Sequence, residues 1–367
     1  MAVFTKHIRS IRDWYAKHER PVSSLSLIGG FVFDALTLKH VEFFWENFWV
    51  VMHLLIVAIC IILINREENE KYETLDATRL HFWLVNILQF FFGGLLSTFL
   101  VFYFRSATLA VTWPFFLLLI AAFVANERLK KHYVRVTFQI SLFYLSILSF
   151  AVYIVPVLFH RIGADVFLVS GMISLVALWL FLAGLGYFAK EKLKKSEKIL
   201  IPSILGIFIA VNVLYFFNLI PPIPLSLRDG GVYHSIHRDA TGNYIVESES
   251  SNWWDYLSLH ENFYATLGDS IYAYSAIFSP ESFNTAIVHE WQTYNTTTGS
   301  WVTVNRVPLF VVGGRDGGYR TYSRKDNITG GIWRVNVMTS GRQIIGRLRF
   351  NVLLVDSEPT LTTQIKE

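Results

Sequence analysis

Residues 199–226 read ILIPSILGIFIAVNVLYFFNLIPPIPLS, and the character of the chain changes within this stretch. Up to Ile220 the stretch is an apolar run of 22 residues, close to the length that an α-helix needs to cross a bilayer. The run ends at Pro221-Pro222-Ile223-Pro224, which interrupts regular structure. Beyond residue 226 apolar and polar residues alternate with the period of a β-strand. The stretch therefore predicts a helical membrane region before it and a β-domain after it.

The composition of the whole chain agrees with a membrane region. Of its 367 residues 53% are hydrophobic and only 16% are charged, whereas soluble proteins carry about 25% charged residues. These values exclude a disordered or collagen-like chain. The one cysteine, Cys60, excludes an internal disulfide and a multi-cysteine metal site. We expect no metal and no cofactor, and a net charge of +4 is too small to suggest a nucleic-acid partner.

Long apolar segments fill most of the first 220 residues. We predict seven transmembrane helices, at 22–38, 44–64, 80–104, 107–125, 136–159, 163–189 and 199–220. The first is short and contains Asp34, but a cleaved signal peptide is rejected because no small-residue cleavage site follows it. With seven spans, seventeen Lys and Arg residues lie on one side and three on the other; without the first span the division is twelve to eight. The positive-inside rule favours seven spans, a cytoplasmic N-terminus and an external C-terminal domain.

Four ionisable residues lie near the outer ends of these predicted spans, or at mid-depth: Asp34, Glu46, His53 and Arg105. Charged groups within a membrane are costly, so they are candidates for function. One interpretation is a polar pocket open to the outer leaflet, where a membrane enzyme or transporter handles a lipid-linked or small substrate. The other is structural: ion pairs that hold helices together, or side chains that reach the interface.

The remaining part of the chain predicts an all-β domain. Strand candidates are 271–278, 284–292, 301–312, 319–325, 331–338 and 343–355. Six short strands separated by turns are typical of an immunoglobulin-like antiparallel sandwich. The predicted organisation is a basic amphipathic segment (1–21) on the cytoplasmic side, the seven-span domain (22–220), an external aromatic-rich linker (221–270), the sandwich (271–356) and a tail (357–367).

Alternation along the last strands places several arginines on one side. If strands 319–325, 331–338 and 343–355 pair, one sheet face carries Arg320, Tyr322, Arg324, Arg334, Arg347 and Arg349. Arginine suits bidentate binding of phosphate or carboxylate, so this face is a candidate site for an anionic lipid headgroup or an acidic glycan. The alternative is a solvated face paired with Glu290, Asp316 and Asp326.

No catalytic motif is present in the sequence. His289-Glu290-Trp291 lacks the second histidine of a zinc-protease motif, because Thr293 stands where it is needed. A single strand histidine beside a tryptophan is more often a structural hydrogen-bonding group than a ligand. The nucleophile-elbow, P-loop and dinucleotide-binding patterns are also absent. We therefore predict no catalytic residues and no metal ligands.

The C-terminal motifs together resemble a known family. They are His289-x-Trp291, Gly313-Gly314-Arg315, Gly318-Tyr319-Arg320-x-Tyr322-Ser323, Gly331-x-Trp333-Arg334-Val335 and Gly341-Arg342 followed by Phe350. This pattern is similar to an uncharacterised bacterial domain found at the C-terminus of Gram-negative inner-membrane proteins. The resemblance covers roughly residues 265–355. It implies a bacterial source, a multi-span companion region and a periplasmic sandwich, and it implies no catalytic residues.

Three functions remain open at this point. The first is a non-enzymatic protein of the inner membrane whose periplasmic sandwich binds an envelope glycan, an anionic lipid or a periplasmic protein. The second is the membrane enzyme or transporter described above. The third is a structural subunit of an assembly. The lipid bilayer is an expected partner in all three.

Overall fold

A computed structural model describes residues 31–32, 34, 44–69, 75–106, 109–128, 135–222, 224–240, 242–249, 261–279, 284–312 and 317–366. Its helices are α1 (Phe44–Asn69), α2 (Leu75–Ser106), α3 (Leu109–Arg128), α4 (Val136–Phe159) and α5 (Ala164–Phe216). The chain divides into two compact units. The helical unit comprises Met1–Tyr103, Pro114–Val155 and Leu168–Val213; the β unit comprises Phe104–Trp113, Pro156–Phe167 and Leu214–Glu367. The predicted segment 1–21 lies outside the described residues.

Among the described residues, four helices are long and apolar enough to cross a membrane: Phe44–Arg66, Trp83–Phe104, Val136–Phe159 and Ala164–Phe216. The prediction of seven spans is therefore not supported. Predicted span 22–38 lies almost wholly outside the described residues. In α3 the apolar segment Thr112–Val124 is shorter than a span, and predicted spans 163–189 and 199–220 belong to the single helix α5.

The helix α5 folds back on itself. Its 53 residues would extend about 80 Å as a straight helix. However, the rings of Phe167 and Tyr215, near its two ends, stack with their centroids 3.6 Å apart. The backbone leaves helical geometry at Ala189, with φ −134° and ψ 40°. α5 is thus a helical hairpin bent near Ala189, and five lysines lie within residues 190–198, just after the bend.

Polar contacts join three elements at one end of the helical unit. Asn65 Nδ2, near the end of α1, donates a hydrogen bond of 2.7 Å to Gln139 Oε1 in the first turn of α4. Lys192 Nζ, after the bend of α5, donates to the Asn65 carbonyl oxygen at 3.4 Å. The Arg66 guanidinium lies 5.9 Å from the centroid of the Phe188 ring. The end of α1, the start of α4 and the bend of α5 therefore share one end of this unit.

The β unit contains three sheets. Its strands are β1 (Ser226–Tyr233), β2 (Ser235–Arg238), β3 (Tyr244–Glu249), β4 (Glu261–Ala265), β5 (Ile271–Phe278), β6 (Asn284–Asn295), β7 (Ser300–Val312), β8 (Tyr319–Lys325), β9 (Gly331–Thr339), β10 (Ile344–Leu354) and β11 (Leu361–Lys366). The sheets have strand orders β1-β5-β8, β4-β10-β9-β6-β7 and β11-β3-β2. Neighbouring strands are antiparallel except β4 and β10, which are parallel.

The sheet β1-β5-β8 has packing partners on both faces. Ala273 of β5 belongs to a buried cluster with Trp291 and Phe350 of the five-stranded sheet. The next residue, Tyr274, points the other way and packs with Val246 of β3. Because successive residues of a strand point to opposite faces, β5 is buried on both sides. The five-stranded sheet has one buried face, and its other face carries the candidate site.

The six predicted strands are present as β5 to β10, but the sandwich is larger than predicted. The predicted linker 221–270 instead contains β1, which pairs with β5, and β4, which pairs with β10. Within it Phe263 is buried in the core, while the aromatic residues Trp253 and Trp254 lie outside the described residues. The predicted tail 357–367 forms β11, which pairs with β3.

Candidate anion-binding face

Two rows of polar residues run across the outer face of the five-stranded sheet. Strand register aligns Arg306, Glu290, Asn336 and Arg347 in the first row, and Thr303, Gln292, Arg334 and Arg349 in the second. Trp301 lies beside the second row, where the Arg334 guanidinium stands 4.0 Å from the centroid of its ring. We call these nine residues the arginine face.

Local sequence explains how these residues come to share one side. In β9 and β10 the intervening residues Val335 and Phe350 are buried in the core, so Arg334 and Arg349 must point outward. In β7 the register shifts opposite the Trp291–Gln292 step, so that Gln292 pairs with Thr303 while Trp291 pairs with Asn305. This β-bulge inserts one residue, and it places Thr303 and Arg306 on the same face despite their odd separation.

Glu290 is the centre of the first row, and its oxygens are fully engaged. Oε1 accepts hydrogen bonds from Arg306 Nε at 2.8 Å and Arg306 Nη2 at 2.7 Å. Oε2 accepts from Gln292 Nε2 at 3.0 Å and Asn336 Nδ2 at 3.1 Å. Burial opposes ionisation, but the hydrogen bonds from Arg306 and Asn336 outweigh it and hold the pKa of Glu290 below its ordinary value. The carboxylate is ionised and neutralised by Arg306.

Two amides connect Glu290 to the remaining arginines. Because the amide nitrogens of Gln292 and Asn336 donate to Glu290, their oxygens face the other way. Gln292 Oε1 accepts from Arg334 Nε at 2.7 Å, and Asn336 Oδ1 accepts from Arg347 Nε at 2.7 Å. Both arginines are therefore held at Nε by neutral groups. Within the described chain, the Nη groups of these two arginines make no hydrogen bond.

Three guanidinium groups on this face consequently make no ion pair with a described acidic residue, although the charge of Glu290 acts on Arg334 and Arg347. Arg349 has neither a hydrogen bond nor an ion pair there, and it stands directly opposite Arg334 in the register. Burial and the charges of Arg334 and Arg349 lower the pKa of Arg347 to about 10. Burial and Arg349 likewise lower the pKa of Arg334. The face is positively charged, partly desolvated and short of negative charge.

The other predicted ligand residues lie elsewhere, so the prediction of one shared face is wrong. Strand β8 pairs with β5, not with β9, and this places Arg320, Tyr322 and Arg324 on a different sheet. Arg320 Nη1 donates to the carbonyl oxygen of Lys366 at 3.1 Å. Arg324 forms an ion pair with Asp326 at 2.5 Å. Arg324 therefore has one of the acidic partners named in the alternative interpretation of the face, whereas Arg320 hydrogen-bonds to the neutral Asn243 side chain and the Lys366 carbonyl.

The four predicted intramembrane residues are only partly brought together. Asp34 lies close enough to Ser97 and His53 to interact with both. His53 Nδ1 also donates a hydrogen bond to the carbonyl oxygen of Trp49 at 2.8 Å. Glu46 interacts electrostatically with Tyr153. The side chain of Arg105 lies outside the described residues.

His289 is a buried connector between two sheets. Its Nε2 lies 2.8 Å from Ser275 Oγ of β5, and its Nδ1 lies 2.9 Å from Ser323 Oγ of β8. Trp291 Nε1 donates to the same Ser323 Oγ at 3.0 Å. Burial lowers the pKa of His289 to about 4, so the ring is neutral near pH 7. In the described residues no group of three His, Cys, Asp or Glu side chains is placed to hold a metal ion.

The sequence prediction missed the supporting residues of the arginine face. Arg306, Trp301 and Thr303 were not assigned to it, because the β-bulge in β7 breaks the alternation on which faces are read. Gln292 and Asn336 were not predicted to position the arginines, because a neutral amide in the sequence does not indicate such a role. The sequence did predict that Glu290 and Trp291 point to opposite faces of their strand. In the structure Trp291 lies in the core, and Glu290 lies on the other face of the sheet.

Part of this sheet matches a known domain. Residues 284–352 match a domain family described as "Protein of unknown function (DUF2914)". The C-terminal region thus carries a domain of unknown function, and the matched residues include all nine of the arginine face. No curated protein matches the chain.

Three solved structures are similar to parts of the chain at low identity. An immunoglobulin-like protein from Pseudomonas aeruginosa is 12% identical, covers 35% of this chain and 96% of its own, and has a TM-score of 0.20. A β-glucosidase from Listeria innocua is 13% identical; the match covers 30% of this chain and 16% of the β-glucosidase, with a TM-score of 0.18. The alkylpurine DNA glycosylase AlkC of Pseudomonas fluorescens is 9% identical; the match covers 84% of this chain and 99% of the glycosylase, with a TM-score of 0.22. Scores at this level carry no inference about function.

Proposed function

We propose that the chain is a membrane-anchored, non-enzymatic protein of the bacterial cell envelope whose β unit binds an anionic ligand on the arginine face. The observation that carries this proposal is the group of three guanidiniums, on Arg334, Arg347 and Arg349, held in register with only neutral partners. Like charges placed directly opposite each other destabilise a sheet. A ligand that supplies negative charge removes this cost, and an envelope glycan, a lipid headgroup or an acidic protein segment would each do so.

Membrane anchoring is supported by the apolar surface of the helices. Trp83, Ile87 and Phe90 form an exposed stripe at helical spacing on α2, and Trp179 is 65% exposed on α5. Soluble monomers rarely expose apolar patches of more than a few hundred Å². Lipid contact accounts for such side chains, because hydrocarbon tails are as apolar as they are.

The orientation is supported by the lysine-rich bend of α5. The bend carries Lys190, Lys192, Lys194, Lys195 and Lys198, whereas the opposite ends of the hairpin are flanked by Arg161. The positive-inside rule assigns the bend to the cytoplasm. Along the chain, the strands of the β unit follow the end of α5 that is opposite the bend. We therefore assign the β unit to the periplasm.

A binding experiment with matched arginine variants tests this proposal. The full chain is placed in phosphatidylcholine nanodiscs and titrated calorimetrically with inorganic phosphate, a glucuronate-containing oligosaccharide and neutral maltotriose. We expect at least one anion to bind and maltotriose not to bind. R349Q should abolish the binding, and R324Q should leave it unchanged because Arg324 is paired on another sheet. Absence of anion binding, or equal loss in both variants, would contradict the proposal.

The hydrogen bond of Asp34 with Ser97 and its electrostatic interaction with His53 favour a second candidate function. In it, the helical unit handles a small or lipid-linked substrate at a polar pocket. A carboxylate beside an imidazole is an arrangement suited to proton exchange. If this holds, D34N removes a cellular phenotype of the chain while its abundance in the membrane stays normal. An unchanged phenotype would reject this candidate.

A further inference from the structure

The three arginines that make no ion pair with a described acidic residue lie on two neighbouring strands and on one sheet face. Arg334 and Arg349 are direct cross-strand neighbours, which places their Cβ atoms about 5 Å apart. Arg347 precedes Arg349 by two residues on the same strand, so it projects from the same face at about 7 Å. These side chains are long compared with those spacings. Their charges act on one another, since Arg349 lowers the pKa of both Arg334 and Arg347.

The donors left over on these arginines point to a ligand with several acceptor oxygens. Arg334 and Arg347 are each anchored through Nε, which leaves the paired Nη groups as a fixed fork. Arg349 has its whole guanidinium available, because no described residue hydrogen-bonds to it. Such forks match the oxygens of phosphate and carboxylate groups. Three forks on one sheet face offer more donors than the two oxygens of a carboxylate can accept.

Charge leads to the same class of ligand. The carboxylate of Glu290 is matched by Arg306 in an ion pair of 2.7 Å, so the rest of the face keeps three positive charges. A carboxylate or a phosphodiester brings one negative charge. A phosphomonoester brings about 1.5 to 2 negative charges at pH 7 and three strong acceptor oxygens.

An aromatic surface adjoins the charged group. The Trp301 ring lies under Arg334, and its other neighbour is Tyr294, with ring centroids 5.3 Å apart. Rings of this kind offer an apolar surface with a polar edge, on which the carbon skeleton of a ligand can rest. The arginine face thus combines an anion site with room for an organic group beside it.

From these contacts we infer that the arginine face binds the terminal phosphate of a phosphomonoester, carried by a sugar or by a lipid headgroup, in preference to a carboxylate or a phosphodiester. This inference rests on the proposed function and adds the chemical class of the ligand. Arg334, Arg347 and Arg349 contact the phosphate oxygens. Gln292 and Asn336 act as positioning residues, since each fixes one arginine through its Nε.

Three sugars that differ only at one carbon test the preference. The full chain in phosphatidylcholine nanodiscs is titrated with glucose 6-phosphate, glucuronate and glucose. We expect glucose 6-phosphate to bind at least tenfold more tightly than glucuronate, and glucose not to bind. R349Q should weaken glucose 6-phosphate binding at least tenfold, with R324Q as the unchanged control. The affinity should also fall as the pH is lowered from 7.5 to 5.5, because the phosphate loses its second charge with a pKa near 6.

A lipid arm distinguishes the two sources of the phosphate. One tenth of the phosphatidylcholine is replaced by phosphatidic acid, a monoester, or by phosphatidylglycerol, a diester. If the natural source is a headgroup, phosphatidic acid raises the unfolding temperature of the wild-type chain but not of R349Q, and phosphatidylglycerol does neither. If the source is soluble, only glucose 6-phosphate has this effect.

The outcomes separate the inference from the proposed function. The phosphate preference would be overturned if glucuronate binds as tightly as glucose 6-phosphate, or phosphatidylglycerol as tightly as phosphatidic acid, and R349Q abolishes that binding. The anion-binding function would still stand. If no sugar binds and neither lipid changes the unfolding temperature, the phosphate preference and the anion-binding function are both refuted. An affinity for glucose 6-phosphate that R324Q and R349Q reduce equally would also overturn the inference, because it would place the site elsewhere.

Discussion

Arg349 contributes no described hydrogen bond to the fold, and its position opposite Arg334 is unfavourable for the unliganded sheet. A like-charge pair directly across two strands costs some tenths of a kcal/mol, up to about 1 kcal/mol. A neutral residue at this position would remove that cost. Under the proposed function, the contact of Arg349 with an anionic ligand offsets this cost.

Glu290 has the opposite role, because it organises the arginine face from below. In E290Q an amide nitrogen replaces one acceptor oxygen, so it must face either the Arg306 guanidinium or the donating amides of Gln292 and Asn336. We expect E290Q to lower the free energy of unfolding by about 1–3 kcal/mol, since a buried donor is left without an acceptor. Thermal unfolding of the full chain in detergent measures this.

The matched control is D326N, which removes one partner of the exposed Arg324–Asp326 pair. Exposed ion pairs contribute little to stability, so the unfolding temperature should hardly change. A loss in D326N as large as that in E290Q would contradict the central role assigned to Glu290.

His289 predicts a pH dependence of stability with a definite sign. Its pKa is about 4 in the folded chain and about 6.5 when unfolded, so the unfolded state binds the extra proton first. Stability is complete above pH 6.5 and is lost as the pH falls towards 4, by about 3 kcal/mol in total. H289Q removes this titration, and its unfolding temperature should vary less between pH 7 and pH 4. Parallel curves for the two proteins would show that His289 does not titrate in this way.

At the scale of single elements, the turn before β8 depends on a glycine. Gly318 has φ +87°, and a Cβ there would lie 2.9 Å from the backbone of Ala276. We expect G318A to destabilise the β unit by more than 1 kcal/mol, because the backbone conformation and the contact are both unfavourable. Thermal unfolding of the full chain is the measurement.

G268A is the control for this prediction. Gly268 also has a positive φ, +98°, but a Cβ there would meet nothing within 4 Å. The variant G268A should therefore show only the part of the destabilisation that comes from the backbone conformation. If G268A destabilises as much as G318A, close approach to β5 is not the reason that position 318 is glycine.

Strands with strong alternation were predictable from sequence, and the connections between them were not. Placing Arg334, Arg347 and Arg349 on one face needed only the period of β9 and β10. The assumption that β8 and β9 pair failed because their connection crosses between sheets, with Ile328 buried in the core. β1 was missed because its Asp229-Gly230-Gly231 sequence has low strand propensity.

At the scale of the whole molecule, the orientation is open to a direct test. Alkaline phosphatase, which is active only outside the cytosol, is fused after residue 367, and in a second fusion it is inserted after Lys195 in the α5 bend. We expect activity from the first fusion and none from the second, because the positive-inside rule assigns the lysine-rich bend to the cytoplasm. Two results together would reverse the assignment: alkaline phosphatase fused at the C-terminus is inactive, and a fluorescent reporter of the cytosol fused at the same place is fluorescent.

The helical unit illustrates what composition can and cannot provide. Apolar length located the helices, but it cannot distinguish two separate spans from two arms of one bent helix. The stacking of Phe167 on Tyr215 is a tertiary contact that no local pattern encodes. The polar contact between Asn65 and Gln139 likewise joins residues far apart in sequence.

The central claim is that the arginine face is built to receive an anion, and one comparison of stability tests it most directly. The unfolding temperatures of the wild-type chain and R349Q are measured in phosphatidylcholine nanodiscs, in anion-poor buffer and with increasing inorganic phosphate. We predict that R349Q is the more stable protein without phosphate and the less stable one at saturation, because only the wild-type gains binding free energy. Two curves that rise together, or a variant that is less stable at every concentration, would contradict the account.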